Sequence, residues 1–159
     1  MHEFIEFMYC CASSAPTPTP RQWFDDVNSM CDIVMGNKLP IYDEDPFVVV
    51  SVYHNEVERD TLDIATIMSR FIEGQSTSVW GPIAWSILHK LSRSPGFRDV
   101  ERLLKCWQNV LPCPECRHHL REHVCRTQFN FSTMEETHQY TIMLHNAVNM
   151  QLGKKMFIQ

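Results

Sequence analysis

No lysine or arginine precedes Arg21, and no run of basic residues occurs anywhere in the 159-residue chain. With a formal net charge of −5, the cationic surface that nucleic-acid binding relies on is missing. A secretory signal opens on basic residues and a mitochondrial presequence on arginine without acids. Here the first charged residues are Glu3 and Glu6. No apolar stretch approaches the ~18 residues of a membrane span. No internal repeat is visible. These absences lead us to expect a cytoplasmic, soluble protein with neither nucleic acid nor membrane among its partners. The apolar fraction of 44 % is ordinary for a globular protein and enough for a core.

Cysteine is the residue in excess. Seven cysteines cannot all pair within one molecule, and without a secretory signal a disulfide scaffold is disfavoured. Redox chemistry or metal binding is the better expectation.

Along the chain, residues 1–12 are apolar and hold the adjacent Cys10 and Cys11, and SSAPTPTP (13–20) is a Pro/Thr tether that favours extended structure. A helix is predicted from Pro20 to Met35, with Thr19 and Gln22 as a capping box and Trp23, Val27, Met30, Cys31 and Val34 on one face. Phe47–Tyr53 is the one convincing strand, and Thr61–Ile72 reads as a short helix. Beyond residue 78 the pattern is helical throughout. Helices are predicted over Val79–Arg93 and Arg98–Val110, then one starting at Cys113, then one capped by Ser132 and Glu135 and ending at Gly153. Four helices with short joins imply a bundle.

The segment LPCPECRHHL (111–120) is the most informative. Cys113 and Cys116 sit three apart at the first turn of a helix, with Pro114 where the missing N–H costs nothing. Unpaired N–H groups and the helix dipole favour a thiolate there, and the spacing closes a disulfide. A redox-active pair is the functional reading. Zinc competes, because His118, His119, His123 and Cys125 follow closely. A thioredoxin-like reductase needs a βαβ context that this region lacks, and a chance pair is the blandest alternative. On spacing alone these readings stay open.

Two further segments flank the pair: WGPIAWSILHKL (80–91) and LHNAVNMQLGKKMF (144–157). Together the three resemble the Erv/ALR family of flavin-linked sulfhydryl oxidases, which carry Trp-Gly-x-x-x-Trp-x-x-Leu-His, Pro-Cys-x-x-Cys and His-Asn-x-Val-Asn with a following Gly-Lys, in that order. The resemblance covers about residues 78–157 and divides the chain into an N-terminal extension (1–77) and an oxidase domain (78–159). It implies an all-α core, a four-helix bundle with a short fifth helix that binds FAD; the pattern of the residues before it, which the resemblance does not cover, adds an extension with helices and one strand. The resemblance also implies a two-fold homodimer, dithiol protein substrates, and molecular oxygen as acceptor giving hydrogen peroxide. The surface agrees with a dimer, since Trp80, Trp107 and the Met-rich fourth helix offer more apolar area than one bundle core needs.

By the resemblance, Cys116 faces the flavin and Cys113 meets incoming thiols. Trp80, Gly81, Trp85, His89, His119, His145, Asn146, Val148, Asn149, Lys154 and Lys155 fall at cofactor positions, and no metal is implied. Helical geometry agrees in part, because Gly81, Trp85 and His89 recur at i, i+4 and i+8 on one stripe. The alternative is a zinc-stabilised helical binding module built on Cys113, Cys116 and the nearby histidines. The minimal domain resembles the oxidases of large cytoplasmic DNA viruses, which places the protein in host cytoplasm or virion. Family members relay electrons from a mobile cysteine pair; Cys10 and Cys11 either fill that role on a flexible arm or are unpaired surface thiols. Cys125 has no later cysteine to pair with, and Cys106 and Cys31 read as buried small hydrophobes.

Overall fold

The computed structural model describes residues 2–15, 20–37, 39 and 77–158. The expected strand at Phe47–Tyr53 and helix at Thr61–Ile72 lie outside the described residues. Among those described there are six α-helices and no strand: α1 (His2–Ser13), α2 (Arg21–Gly36), α3 (Thr77–Ser92), α4 (Val100–Val110), α5 (Pro114–Arg126) and α6 (Met134–Gln151). A single 3-10 turn, Phe97–Asp99, leads into α4.

The bundle of α3 to α6 follows the apolar spacing of its helices. Ile87, Leu88 and Leu91 of α3 meet Leu103, Leu104 and Trp107 of α4, Leu120 and Val124 of α5, and Tyr140 and Leu144 of α6 in one core. The α6 start is one residue later than its sequence suggested. Thr133, not Ser132, is the cap: its hydroxyl accepts from the Glu136 N–H at 3.2 Å. The Glu136 carboxylate accepts from the N–H groups of Ser132 and Thr133 at 2.8 and 3.1 Å. This register satisfies two otherwise orphaned donors with one side chain, which explains the choice between two overlapping S/T-x-x-E patterns. Gly153, at φ 63°, ends the helix in the left-handed region that suits glycine. Residues 154–158 then run without regular structure, so no short fifth helix follows α6 among the described residues. Instead the Asn146 amide holds the tail, accepting from the Phe157 N–H at 2.6 Å and donating to its carbonyl at 3.2 Å.

The N-terminal helices belong to the same core. α1 packs on α3, and α2 lies along α4. In α1, Phe4, Phe7, Met8 and Cys11 recur at helical spacing toward the core. Phe7 is wholly buried, its ring 6.3 Å from that of Trp80 and 5.8 Å from that of Trp107. From α2, Met30 takes the Trp107 indole N–H on its sulfur at 3.2 Å, and Asp26 accepts from the Asn109 amide at 2.7 Å. Helix α2 starts at an extended Pro20 with no side-chain cap. Thr19 lies outside the described residues, and Gln22 instead donates to Asp26 at 3.1 Å. At its other end the Asn37 amide donates to the Ile33 carbonyl at 2.8 Å and to Asp99 at 3.0 Å. A Cβ at Gly96 would overlap the Asn37 side chain, so glycine allows that loop to close on α2.

Two expectations are corrected by this packing. Cys10 and Cys11 are 3 % and 0 % exposed, so they are neither a mobile shuttle nor surface thiols. The stripe that buries them is helical, and the tether after it does not free it. Trp80 and Trp107 are 5 % and 3 % exposed, so their apolar area is covered within the chain and offers nothing to a second copy. Cys106 is buried as expected, Cys31 is half-buried, and burial pushes both thiols up to about 11. Cys125 is exposed and forms no disulfide.

Candidate active site

The α4–α5 connection positions the cysteine pair. Leu111 joins the core and its carbonyl accepts from the Arg117 guanidinium, so the turn before α5 is anchored at both ends. Cys113 is the N-cap of α5, in extended conformation, and its sulfur accepts from the Cys116 N–H at 3.1 Å. Pro114 takes the first helical position. Cys113 and Cys116 are joined as a disulfide, with Cα atoms 5.1 Å apart. The sulfurs thus lie at the positive end of the α5 dipole, where a released thiolate is stabilised. Among the described residues no three His, Cys, Asp or Glu side chains converge on a metal position.

Beside this disulfide opens a cavity of about 1100 Å³ between α3, α4, α5, α6 and the C-terminal tail. Ten of the residues expected at the cofactor or catalytic positions line it: Trp80, Gly81, Trp85 and His89 from α3, Cys116 and His119 from α5, His145, Val148 and Asn149 from α6, and Lys154 from the tail. Cys113, Asn146 and Lys155 do not. Asn146 is engaged with the Phe157 backbone, and Lys155 is exposed. The lining also includes Arg93, His123 and Phe157, which the sequence reading missed. Arg93 continues the 81–85–89 stripe by one turn, and His123 follows His119 at i+4, so helical spacing could have found both. Phe157 carries no such signal, because a tertiary contact to Asn146 places it.

Flat rings form one wall. The rings of Trp85 and His145 stack at 4.0 Å and 7°. Phe157 stacks on His145 at 4.6 Å and on His89 at 4.7 Å. His89 is 9 % exposed, and its Nε2 lies 3.0 Å from His145 Nδ1. Burial, then the neighbouring His145, His138 and Arg93, lowers the His89 pKa to about 4. Burial and Lys154 lower that of His145.

The cavity suits a large, flat cofactor. Its volume of about 1100 Å³ exceeds the roughly 300–1,000 Å³ typical of small-molecule pockets. A Cβ at Gly81 would meet no protein atom within 4 Å, so a ring can approach the α3 backbone there. Stacking faces, a sulfur in the wall and a nearby lysine complete a set suited to an aromatic dinucleotide with a phosphate bridge.

The geometry is that of a helical bundle that sets a helix-start disulfide against a large cavity, and sequence comparison identifies the family. Residues 83–159 match the Erv1 / Alr family. An FAD-linked sulfhydryl oxidase of African swine fever virus is 31 % identical over 83 residues, which cover 48 % of this chain and 70 % of the relative. The FAD-linked sulfhydryl oxidase ERV1 of Arabidopsis thaliana is 30 % identical over 84 residues, 48 % of this chain and 44 % of the relative. A relative from Acanthamoeba polyphaga mimivirus is 29 % identical over 91 residues, 51 % of this chain and 64 % of the relative. No solved structure matches. The chain belongs to the Erv1/Alr family, and the two viral relatives agree with the viral likeness expected from its sequence.

The buried His89 gives a pH signature. Its folded pKa of about 4 lies below the unfolded 6.5. Between these values the unfolded chain binds the proton and the folded chain does not, so stability falls as pH drops through this window and the loss levels off below it. The His89 share amounts to at most roughly 3 kcal/mol. Urea denaturation at several pH values should show the stability advantage of wild type over His89→Gln shrinking from pH 6.5 toward 4. An advantage constant across that range would contradict the assignment.

Proposed function

We propose that the protein is a flavin-linked thiol oxidase that forms disulfides in protein dithiols through the Cys113–Cys116 pair, with FAD in the cavity beside it. The observation that carries this reading is that, of the two disulfide-bonded residues, Cys116 lines the cavity while Cys113 does not.

This asymmetry supports a division of labour. A substrate thiolate attacks the Cys113 sulfur, the Cys113–Cys116 bond breaks, and Cys116 leaves as a thiolate. The second substrate thiol loses its proton and displaces Cys113 from the mixed disulfide. The substrate leaves oxidised, and the electron pair now resides on the enzyme's reduced cysteines. The Cys116 N–H, 3.1 Å from the Cys113 sulfur, stabilises charge on that sulfur as it departs. FAD bound in the cavity would supply a two-electron acceptor for the reduced cysteines and a donor to oxygen, with hydrogen peroxide as product. The cofactor positions assigned are Trp80, Gly81, Trp85, His89, His119, His145, Val148, Asn149 and Lys154. Trp85, His145 and Phe157 provide flat stacking faces, and Lys154 and Arg93 provide positive charge for phosphate. Asn146 acts one step removed, by holding the tail that carries Phe157.

The cysteine assignment is tested with Cys116→Ser. The helix faces that form the cavity do not depend on one sulfur, so the purified variant should stay yellow with FAD near wild-type occupancy. Turnover of a small dithiol should drop by at least about a thousandfold, a loss on the scale of removing a covalent catalyst. Turnover at the wild-type rate would reject Cys116.

A homodimer is part of the same reading, on the part of the expected surface that stays exposed, the Met-rich fourth helix of the bundle, α6. With Trp80 and Trp107 covered, the large apolar side chains left exposed among the described residues are Phe24 of α2 and a group on α6 and the tail, Met134, Met143, Met150, Leu152, Met156 and Ile158. A second copy covering this face removes it from water. Sedimentation at micromolar concentration should give a dimer that Met143→Lys with Met150→Lys converts to monomer; a wild-type monomer would contradict it.

A further inference from the structure

Behind the ring wall, a set of polar side chains shares very few hydrogens. Ser92 and Thr141 are both fully buried and each carries one hydroxyl hydrogen. Ser92 donates to the main-chain carbonyl of His89 at 2.9 Å, and Thr141 donates to that of His138 at 2.8 Å. A carbonyl can only accept, so each hydroxyl hydrogen has a carbonyl to go to. The same two oxygens also meet ring nitrogens: Ser92 Oγ lies 2.8 Å from His138 Nδ1, and Thr141 Oγ1 lies 3.1 Å from His89 Nδ1. With the hydroxyl hydrogens placed on these carbonyls, both nitrogens are donors. The 3.3 Å separation of the two hydroxyl oxygens is the longest in the network and carries no hydrogen in this arrangement.

A neutral imidazole has one N–H. Burial and the surrounding His145, His138 and Arg93 keep His89 neutral at pH 7. Since its hydrogen is on Nδ1, its Nε2 is a lone pair. That lone pair faces His145 Nδ1 at 3.0 Å, so His145 donates through Nδ1. The same count leaves His145 Nε2 bare, and this atom has no hydrogen-bond partner among the described residues. The ring it belongs to lines the cavity.

We propose that Thr141 is a positioning residue that fixes the tautomer of His89 and, through it, of His145, so that the cavity presents His145 Nε2 as an acceptor and favours a ligand bearing an amino or ring N–H donor at that point. This rests on the cavity being a cofactor site, and FAD carries donors of that class. Thr141 does not line the cavity. It acts through a two-ring relay that starts from a hydroxyl whose own hydrogen is placed on a carbonyl, which cannot donate.

The test is the imidazole nitrogen spectrum of the full-length, FAD-loaded protein at pH 7, recorded by 15N NMR for wild type, Thr141→Val and Thr141→Ser, together with FAD affinity. In wild type both His89 and His145 should be Nδ1–H tautomers. Thr141→Val keeps the shape but removes the acceptor for His89 Nδ1–H. His89 should then move its hydrogen to Nε2, His145 should follow, and FAD should bind about tenfold more weakly, the scale of one lost hydrogen bond. Thr141→Ser keeps the hydroxyl and should restore both tautomers and affinity. An Nε2–H tautomer at either ring in wild type, or unchanged tautomers in Thr141→Val, overturns the relay. A tautomer switch with unchanged FAD affinity overturns the ligand preference. A colourless wild-type protein that shows the Nδ1–H pattern would instead reject the flavin reading and leave the relay intact, so the two failures are distinguishable.

Discussion

An open cavity of about 1100 Å³ in a chain of 159 residues is the constraint around which the rest of this fold is organised. Protein interiors are close-packed, and side chains that face a void lose their contacts on one side. A bundle with this hole would close unless its walls were held from behind. They are held in two ways. On one side, Trp85, His89, His145 and Phe157 stack as flat plates, and the buried hydrogen bonds among His89, Thr141, Ser92 and His138 fix the plates from the rear. On the other side, α1 and α2 bury Trp80 and Trp107 and supply the packing that the four-helix bundle lacks by itself.

Seen this way, the N-terminal helices have a mechanical part in the chemistry although none of their residues is assigned to it. Trp80 both lines the cavity and rests on Phe7, so the α3 stripe that faces the cavity is backed by α1. The α2 side of α4 is fastened through Met30 and Asp26. Helix α4 leads directly into the turn that presents Cys113, so the position of the disulfide depends on how firmly α4 is held. Cys10 and Cys11 contribute as small apolar side chains in this interface; burial, then Cys10 and Cys31 nearby, raises the Cys11 pKa well above that of a free thiol. A thiol so held is inert rather than reactive.

Much of the site was legible in the sequence because it is written in local rules. The Cys-Pro-x-Cys start of α5 specifies a capped helix with both sulfurs at its first turn. The i, i+4, i+8 stripe of Gly81, Trp85 and His89 specifies one face of α3. Ordered motifs identified the family where each motif alone could not. What the sequence did not reveal is tertiary. Phe157 enters the wall because Asn146 catches a tail with no periodicity. Trp80 and Trp107 read as surplus because the α1 stripe that covers them, Phe4, Phe7, Met8 and Cys11, precedes a Pro/Thr segment that suggested a loose arm. The α6 cap shifted by one residue because two overlapping capping patterns are nearly equal locally, and the better use of the Glu136 carboxylate separates them. In each case the missing information is a contact between segments far apart in the chain.

The central claim is that electrons enter at Cys113–Cys116 and leave through FAD held in the adjacent cavity. Anaerobic titration of the purified, yellow protein with dithiothreitol tests it most directly. The account predicts that the flavin absorbance bleaches as the dithiol is added, that admitting air restores it with release of hydrogen peroxide, and that the Cys113→Ser, Cys116→Ser double variant, equally yellow, does not bleach on the same timescale. Bleaching in the double variant as fast as in wild type, or a purified protein that neither carries nor takes up FAD, would contradict it.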